Sequence, residues 1–332
     1  MAKNKARVIE VLNILRKYTD EEHTITSTEI LKHLNKKNFN AERKAVYNDI
    51  SVLEDMGYNI ELTGINGKKG YFLGTRELEF TEIYLLADAV LSADFVSGRK
   101  TKKIIEKLEY FLSDYQVSKL KERIFLDKRI KSDNEELYYT IDKLRKAVDL
   151  NKKVSLTYVR HIFLNGEISE NKREFVLSPY ALAWADDHYY LIGNNEKYDN
   201  LMHLRIDRIK GVNILKSKIR PYSEVSAYKN YFDVADYLSK AFNMFGGKKE
   251  MVTFICKNEI LEQIIDRFGK ELIFIPYDDN HFSVTVETFV SEGLISFILQ
   301  FGNNLIVKYP KSLKNAVIKK TEELKTAYTN IE

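Results

Sequence analysis

At 332 residues the chain exceeds what one core of ordinary size holds, so two or three domains are expected. Its 44% hydrophobic and 30% charged residues give the balance of a soluble globular protein and exclude a disordered or low-complexity chain. No apolar run nears the ~20 residues of a membrane span, the first residues lead into an amphipathic pattern, and net charge is only +4. A cytoplasmic protein away from the membrane is therefore expected, and nucleic acid is permitted but not demanded by charge.

From Lys5 to Lys17, Val8, Val11, Leu12 and Leu15 fall on one helix face. Thr26-Ser27-Thr28-Glu29 spells a capping box, with Thr26 as N-cap and Glu29 reaching back, ahead of a short helix that buries Ile30, Leu31 and Leu34. A third helix is predicted from Asn40 to Met56, stopped by Gly57. Tyr58–Leu62 alternates as a strand, Asn66-Gly67 supplies a tight turn, and Gly70–Leu73 returns. Three helices and a two-stranded hairpin within residues 1–75 have the layout of a winged helix-turn-helix.

On the third helix Val46, Ile50 and Leu53 share a face, so Lys44, Tyr47, Asn48 and Ser51 point away from the core, with Arg43 at the boundary. Cations, amides and hydroxyls are the groups that touch phosphates and base edges, and the start of this helix is the part that enters a major groove. Thr26, Ser27 and Thr28 could offer backbone N–H groups to a phosphate. Lys68 and Lys69, at the hairpin tip, could reach an adjacent backbone or minor groove. A solvated helix face would look similar residue by residue. The element order, the basic wing and the polar stripe together point to double-stranded DNA.

Residues 76–150 have helical period, with ladders such as Ile83, Leu86, Ala87, Val90 and Ile104, Leu108, Phe111, and read as a helical connector. Charged turns at Lys128-Arg129 and Lys131-Ser132-Asp133 precede a helix around Glu135–Leu150. Between 151 and 220 the pattern becomes five short strands, near Val154–Tyr158, Phe175–Trp184, Tyr189–Gly193, Leu201–Ile206 and Val212–Leu215, as in a small barrel. Residues 221–249 read as a linker helix, Val225–Phe245, ending at Gly246-Gly247. Residues 250–332 read as alternating strands and helices: Met251–Cys256, Ile260–Phe268, Phe282–Phe289, Gly293–Phe301, Leu305–Lys308 and Leu313–Tyr328. The fold class is thus α+β, comprising an N-terminal winged helix-turn-helix, a helical connector, a β-barrel and a C-terminal α/β extension domain.

His203 and Arg205 are two apart on a strand and project from one face, with Arg208 just beyond. Guanidinium forks suit phosphate oxygens, tyrosines offer stacking faces, and Arg160, two positions after Tyr158, could join them. Pairing of Arg205 and Arg208 with Asp207, Asp186 or Asp187 as structural salt bridges fits the same residues. The stretches Ser178–Trp184, His188–Gly193 and His203–Ile209 together resemble a WYL domain, an Sm-like, SH3-type barrel whose eponymous tripeptide is here Tyr189-Tyr190-Leu191. The resemblance extends to the winged helix that commonly precedes that domain, over residues 1–75. It also takes in the C-terminal extension called WCX, over 250–328, with Phe297 where a tryptophan often precedes Leu299-Gln300-Phe301-Gly302. It implies a homodimeric transcription factor sensing an anionic effector, a nucleotide or an oligonucleotide. The ligand-facing positions carry over to His203, Arg205 and Arg208, and to Tyr158, Ser178, Tyr189 and Tyr190.

The histidines show no metal-ligand spacing, and no phosphate-cradling glycine loop or nucleophile elbow is present, so neither a metal, nor a cofactor, nor an enzyme is expected. Cys256 lies in an apolar run as a buried filler and leaves no disulfide or thiolate zinc cluster. Asp186-Asp187 and Asp278-Asp279 read as turn residues. Two other functions fit the composition: an accessory protein binding single-stranded DNA or RNA through the barrel, and an enzyme acting on nucleotides.

Overall fold

The computed structural model describes residues 2–65, 68–124, 131–132 and 134–330. The expected turns at Asn66-Gly67 and Lys128-Arg129, together with Asp133 and the Lys68 side chain, lie outside the described residues. The chain divides into two compact units, residues 1–135 and 136–332. Helices predominate in the first, and the described residues form three antiparallel sheets in all.

The first unit opens with α1 (Ala2–Tyr18), α2 (Ser27–Lys36) and α3 (Arg43–Asp55), then β1 (Ile60–Ile65) and β2 (Lys68–Leu73). Val11, Leu15, Ile30, Leu34, Val46, Ile50 and Leu53 make one core, the faces the apolar spacing assigned. Both halves of the capping box form: the Thr26 N–H donates to Glu29 Oε2 (2.8 Å) and the Glu29 N–H to Thr26 Oγ1 (3.3 Å). α3 begins at Arg43, later than the sequence predicts, because Phe39 and Ala41 leave the helical path to pack on the core. Gly57, at φ +93°, ends it. Ile25 exchanges backbone hydrogen bonds with Tyr71 (2.9 and 2.8 Å), tying the hairpin to the entry of α2. Next, α4 (Phe80–Ser92), α5 (Gly98–Leu108) and α6 (Asp114–Ile124) surround Ile83, Ala87, Ile105 and Leu120. Buried Arg76 clasps the two parts, donating to the carbonyls of Arg16 (2.9 Å), Phe111 (3.0 Å) and Thr19.

The second unit starts with α7 (Leu137–Asp149), which packs on β3 (Lys152–Leu164), β4 (Glu167–Ala185) and β7 (Ile209–Lys218). The expected connector 76–150 is therefore divided: its last helix belongs with the sheet, where Leu137, Leu144 and Ala147 are buried. With β5 (His188–Asn194) and β6 (Met202–Arg205) the sheet order is β6-β5-β4-β3-β7. Only the turn Ile206–Arg208 joins its two ends. Four chain steps reach about 14 Å at most, whereas the edges of a flat five-stranded sheet stand roughly 19 Å apart. The sheet must curl. Asp186 (φ 48°) and Asp187 (φ 58°) form the β4–β5 turn, as their reading as turn residues requires.

The expected linker helix Val225–Phe245 does not form. Only α8 (Val234–Lys240) is helical, capped by Asp233, whose side chain accepts from the Asp236 N–H (2.9 Å). Its aromatic residues determine this: Tyr222, Tyr228, Phe232 and Tyr237 interlock with one another and with Tyr180 from β4, which a continuous helix would disperse around its circumference. β8 (Lys248–Lys257), α9 (Leu261–Phe268), β9 (Phe274–Asp278), β10 (His281–Val290), α10 (Glu292–Gln300) and β11 (Leu305–Tyr309) follow in β-α-β-β-α-β order with strands arranged β11-β8-β10-β9, a ferredoxin-like topology. Helix α11 (Lys311–Thr329) follows the last strand. β9 is absent from the sequence reading. It contains Pro276, which a sheet tolerates on an edge strand, its place here. Phe254, Leu294, Ile298 and Leu313 fill this core, with Cys256 buried among them and its thiol pushed up to about 12 by that burial. Among the described residues no helix is long and apolar enough to cross a membrane.

Candidate functional site

Two surfaces collect the residues singled out above. On the first, burial of Val46, Ile50 and Leu53 turns the opposite side of α3 outward, and Lys44, Tyr47, Asn48 and Ser51 are all exposed. Lys44, Asn48 and Ser51 make no hydrogen bond or ion pair among the described residues, so their polar groups are available. The helix's own acid, Asp49, is withdrawn: it is 3% exposed, and both its oxygens accept from Arg7 (2.6 and 3.0 Å). Thr28 and Lys69 are exposed.

Other members of the predicted set are already engaged. Arg43 Nε donates to Ser27 Oγ (2.9 Å), and its guanidinium lies 5.7 Å from the centre of the Tyr47 ring. Arg43 therefore fixes α3 on α2 and presents less of its charge outward than sequence alone implies. Ser27 is buried beneath it. The Thr26 N–H, expected to be open to a phosphate, is spent on Glu29. The capping box that marks this helix start in the sequence is what occupies that donor.

The second surface lies on β5 and β6, where Tyr190 faces Arg205 and Ile192 faces His203. The expected group of three cations is not what forms. His203 Nε2 lies 2.7 Å from the Tyr237 hydroxyl, the rings stack at 5.6 Å, and burial lowers the imidazole to about 4, so it is neutral at pH 7. Arg205 forks onto Asp207, Nε to Oδ1 (3.1 Å) and Nη2 to Oδ2 (2.7 Å), the structural pairing that sequence left open. Arg208 is partly exposed and makes no hydrogen bond or ion pair among the described residues. It is the least committed of the three.

Ser178 is 1% exposed and accepts the Arg220 N–H at 2.9 Å, so it braces the chain after β7 from a buried position. Tyr158 is buried, edge-on to Phe175, with the Arg160 guanidinium 5.4 Å from its ring centre. Tyr190 is half-buried; burial raises its hydroxyl pKa, against the opposing charge of Arg205. Tyr189 pairs across the strands with exposed Trp184.

Sequence reasoning passed over His188, two positions before Tyr190 and so on the same strand face. Its Nδ1 is buried without a hydrogen-bond partner, and burial, then the charges of Arg205 and Arg208, lower its pKa. It passed over a cavity too. This space of about 260 Å³ opens beside Tyr237, lined by Leu201, Tyr228, Gly246, Lys249 and Phe289 among others. The signal was the aromatic spacing after Pro221, which reads as a helix by composition.

Burial of neutral His203 has a pH consequence. Its folded pKa lies below the ordinary 6.5, so its contribution is intact above pH 6.5 and is lost as pH falls toward about 4. Denaturant unfolding of wild type should lose on the order of 2 kcal/mol more between pH 7 and 4.5 than unfolding of a His203→Gln variant. Equal losses would show that the imidazole is not held neutral.

Residues 139–214, from within α7 to within β7, match the family model of the WYL domain. Over those residues the chain is similar to that family. It is similar, at 20% identity over 300 residues, to the uncharacterized HTH-type transcriptional regulator YobV of Bacillus subtilis strain 168, over 87% of this chain and 91% of that protein. Among solved structures it is similar to the Proteasome accessory factor B/C (PafBC) of Arthrobacter aurescens, with 14% identity and a TM-score of 0.29. That similarity covers 96% of this chain and 46% of the other, so this chain spans less than half of that one.

Proposed function

We propose that this protein is a sequence-specific DNA-binding transcription regulator, not an enzyme, in which residues 1–75 act as a winged helix-turn-helix and the WYL domain, as a small barrel, senses an anionic effector. The observation that carries the reading is the outward stripe Lys44, Tyr47, Asn48 and Ser51 on α3, with three uncommitted polar side chains and Asp49 folded away. Such a stripe at the start of the second helix of the motif supplies phosphate and base-edge contacts. The relative from Bacillus subtilis, by its printed name an HTH-type regulator, supports the same class. As a homodimer, two copies would place these helices about 34 Å apart on one face of a duplex.

The effector, a nucleotide or oligonucleotide, is assigned to Arg208, Arg205, Tyr190 and His188. Arg208 supplies the free charge, Arg205 a guanidinium that exchanges Asp207 for phosphate, and Tyr190 a ring face. It acts by binding one arrangement of the dimer more tightly than the other. Arg208→Ala should weaken binding of a fluorescent single-stranded oligonucleotide about tenfold, the worth of one charged hydrogen bond, while leaving duplex binding unchanged. Equal oligonucleotide binding by variant and wild type removes Arg208 from the site.

The experiment that tests the regulator reading is selection of fragments from genomic DNA by the full-length protein. Enrichment of one duplex sequence is expected. Retention of single strands in preference to every duplex overturns the reading in favour of a single-strand binder.

A further inference from the structure

Strands β3 and β4 run past the sheet they belong to. β7 accompanies β3 only as far as Tyr158, opposite Ile209, and β5 joins β4 only from Ser178. Between them Val159–Leu164 pairs with Glu167–Lys172 alone, closed by Asn165 (φ 53°) and Gly166 (φ 86°), the left-handed pair of a two-residue turn. This two-stranded arm extends about 20 Å. Among the described residues neither outer edge pairs with a further strand, the β4 edge contains no proline or glycine from Glu167 to Ser178, and the tip is apolar: Phe163 (76% exposed) faces Ile168 (75% exposed) across the strands. At the base of the arm, Val176 is 51% exposed on the same face as Ile168. A lone ribbon is marginal in water, and an open edge is a template for a further strand, provided that the strand answers the charges the edge carries, here Glu170, Lys172 and Arg173.

We propose that the arm joins two copies of this chain, by antiparallel pairing of their free β4 edges with Asn171 on the two-fold axis. Charge selects this register. A two-fold axis through an antiparallel pair makes one residue face its own counterpart. Centring on Glu170, Lys172 or Arg173 opposes like charges, which destabilises a ladder. Centring on Asn171 sets each Glu170 against Lys172 of the other copy, two favourable pairs from one symmetry operation. The groups are already poised for the exchange, since Glu170 pairs with Lys172 (3.2 Å) and Lys210 (3.7 Å) within one chain. The same register brings Ile168 one diagonal step from Val176 of the second copy, covering exposed apolar groups at both ends of the arm. The inference rests on the homodimer proposed above and supplies its interface.

The test uses full-length Asn171→Cys in oxidising buffer, read on a non-reducing gel. Residues facing across an antiparallel pair have Cα atoms about 4.5–5.5 Å apart, within disulfide range, so a covalent dimer is expected. Arg160→Cys, on the other strand of the arm opposite Asn171, should stay monomeric on the gel. Native Cys256 is buried and does not compete. In a dilution series by light scattering, Glu170→Lys should raise the dimer Kd at least tenfold, and Glu170→Lys with Lys172→Glu should restore it to within about threefold, as expected for directly opposed charges. A dimer whose Asn171→Cys form does not cross-link overturns the arm and leaves the DNA-binding reading standing. A cross-linked dimer that selects no duplex does the reverse. A protein monomeric at all concentrations overturns the arm.

Discussion

Asp49→Ala is expected to destabilise the N-terminal unit by about 3 kcal/mol, the cost of breaking a buried ion pair on one side, and to abolish duplex binding near physiological temperature, although Asp49 itself cannot reach DNA. Asp49 lies on the inner side of α3, and Arg7 on α1 holds both its oxygens. Removing the carboxylate takes away the two oxygens that accept from this guanidinium, which is 15% exposed next to the core that seats α3. The measurement is a urea midpoint on the full-length protein beside a gel shift. Asp49→Leu combined with Arg7→Met should recover much of the loss, because replacing a buried pair by apolar groups of similar volume is often neutral. A midpoint for Asp49→Ala within about 0.5 kcal/mol of wild type, the range of ordinary surface changes, refutes the role given to this pair.

Lys44→Glu should lower duplex affinity by more than tenfold and reduce the slope of log affinity against log salt by about 1, as loss of one phosphate contact requires. The variant should unfold at the wild-type midpoint, since Lys44 is exposed and makes no hydrogen bond or ion pair among the described residues. Arg43→Ala should behave differently, weakening binding and stability together, because Arg43 also holds Ser27. Lys44→Glu binding duplex as wild type does, at low and at physiological salt, would remove α3 from the groove.

Much of the architecture is legible in short stretches. The capping box at Thr26–Glu29, the stop at Gly57, the faces of α1 to α3 and the Asp186-Asp187 turn are all local, because each follows from residues within one or two turns of chain. The arm was equally local at its tip, where Asn165-Gly166 carries a strong turn signal. Its flanks, Val159–Leu164 and Glu167–Glu174, mix charges and apolar groups on both faces, so no alternation marks them as strands. The run from Tyr222 to Phe245 misleads in the opposite direction. Its apolar residues suit a helix by composition, yet ring packing against β4 and β10 breaks it up.

By itself, then, the sequence determined where most helices and strands lie and which side of α3 faces outward, since backbone propensity and apolar period are read over neighbouring residues. Tertiary structure alone decided which charges remain available. Asp49 is taken by a residue 42 positions away and His203 is neutralised beside one 34 positions away, while Arg208 stays uncommitted. Protonation and pairing depend on burial and on partners brought together by folding, and a linear pattern contains neither.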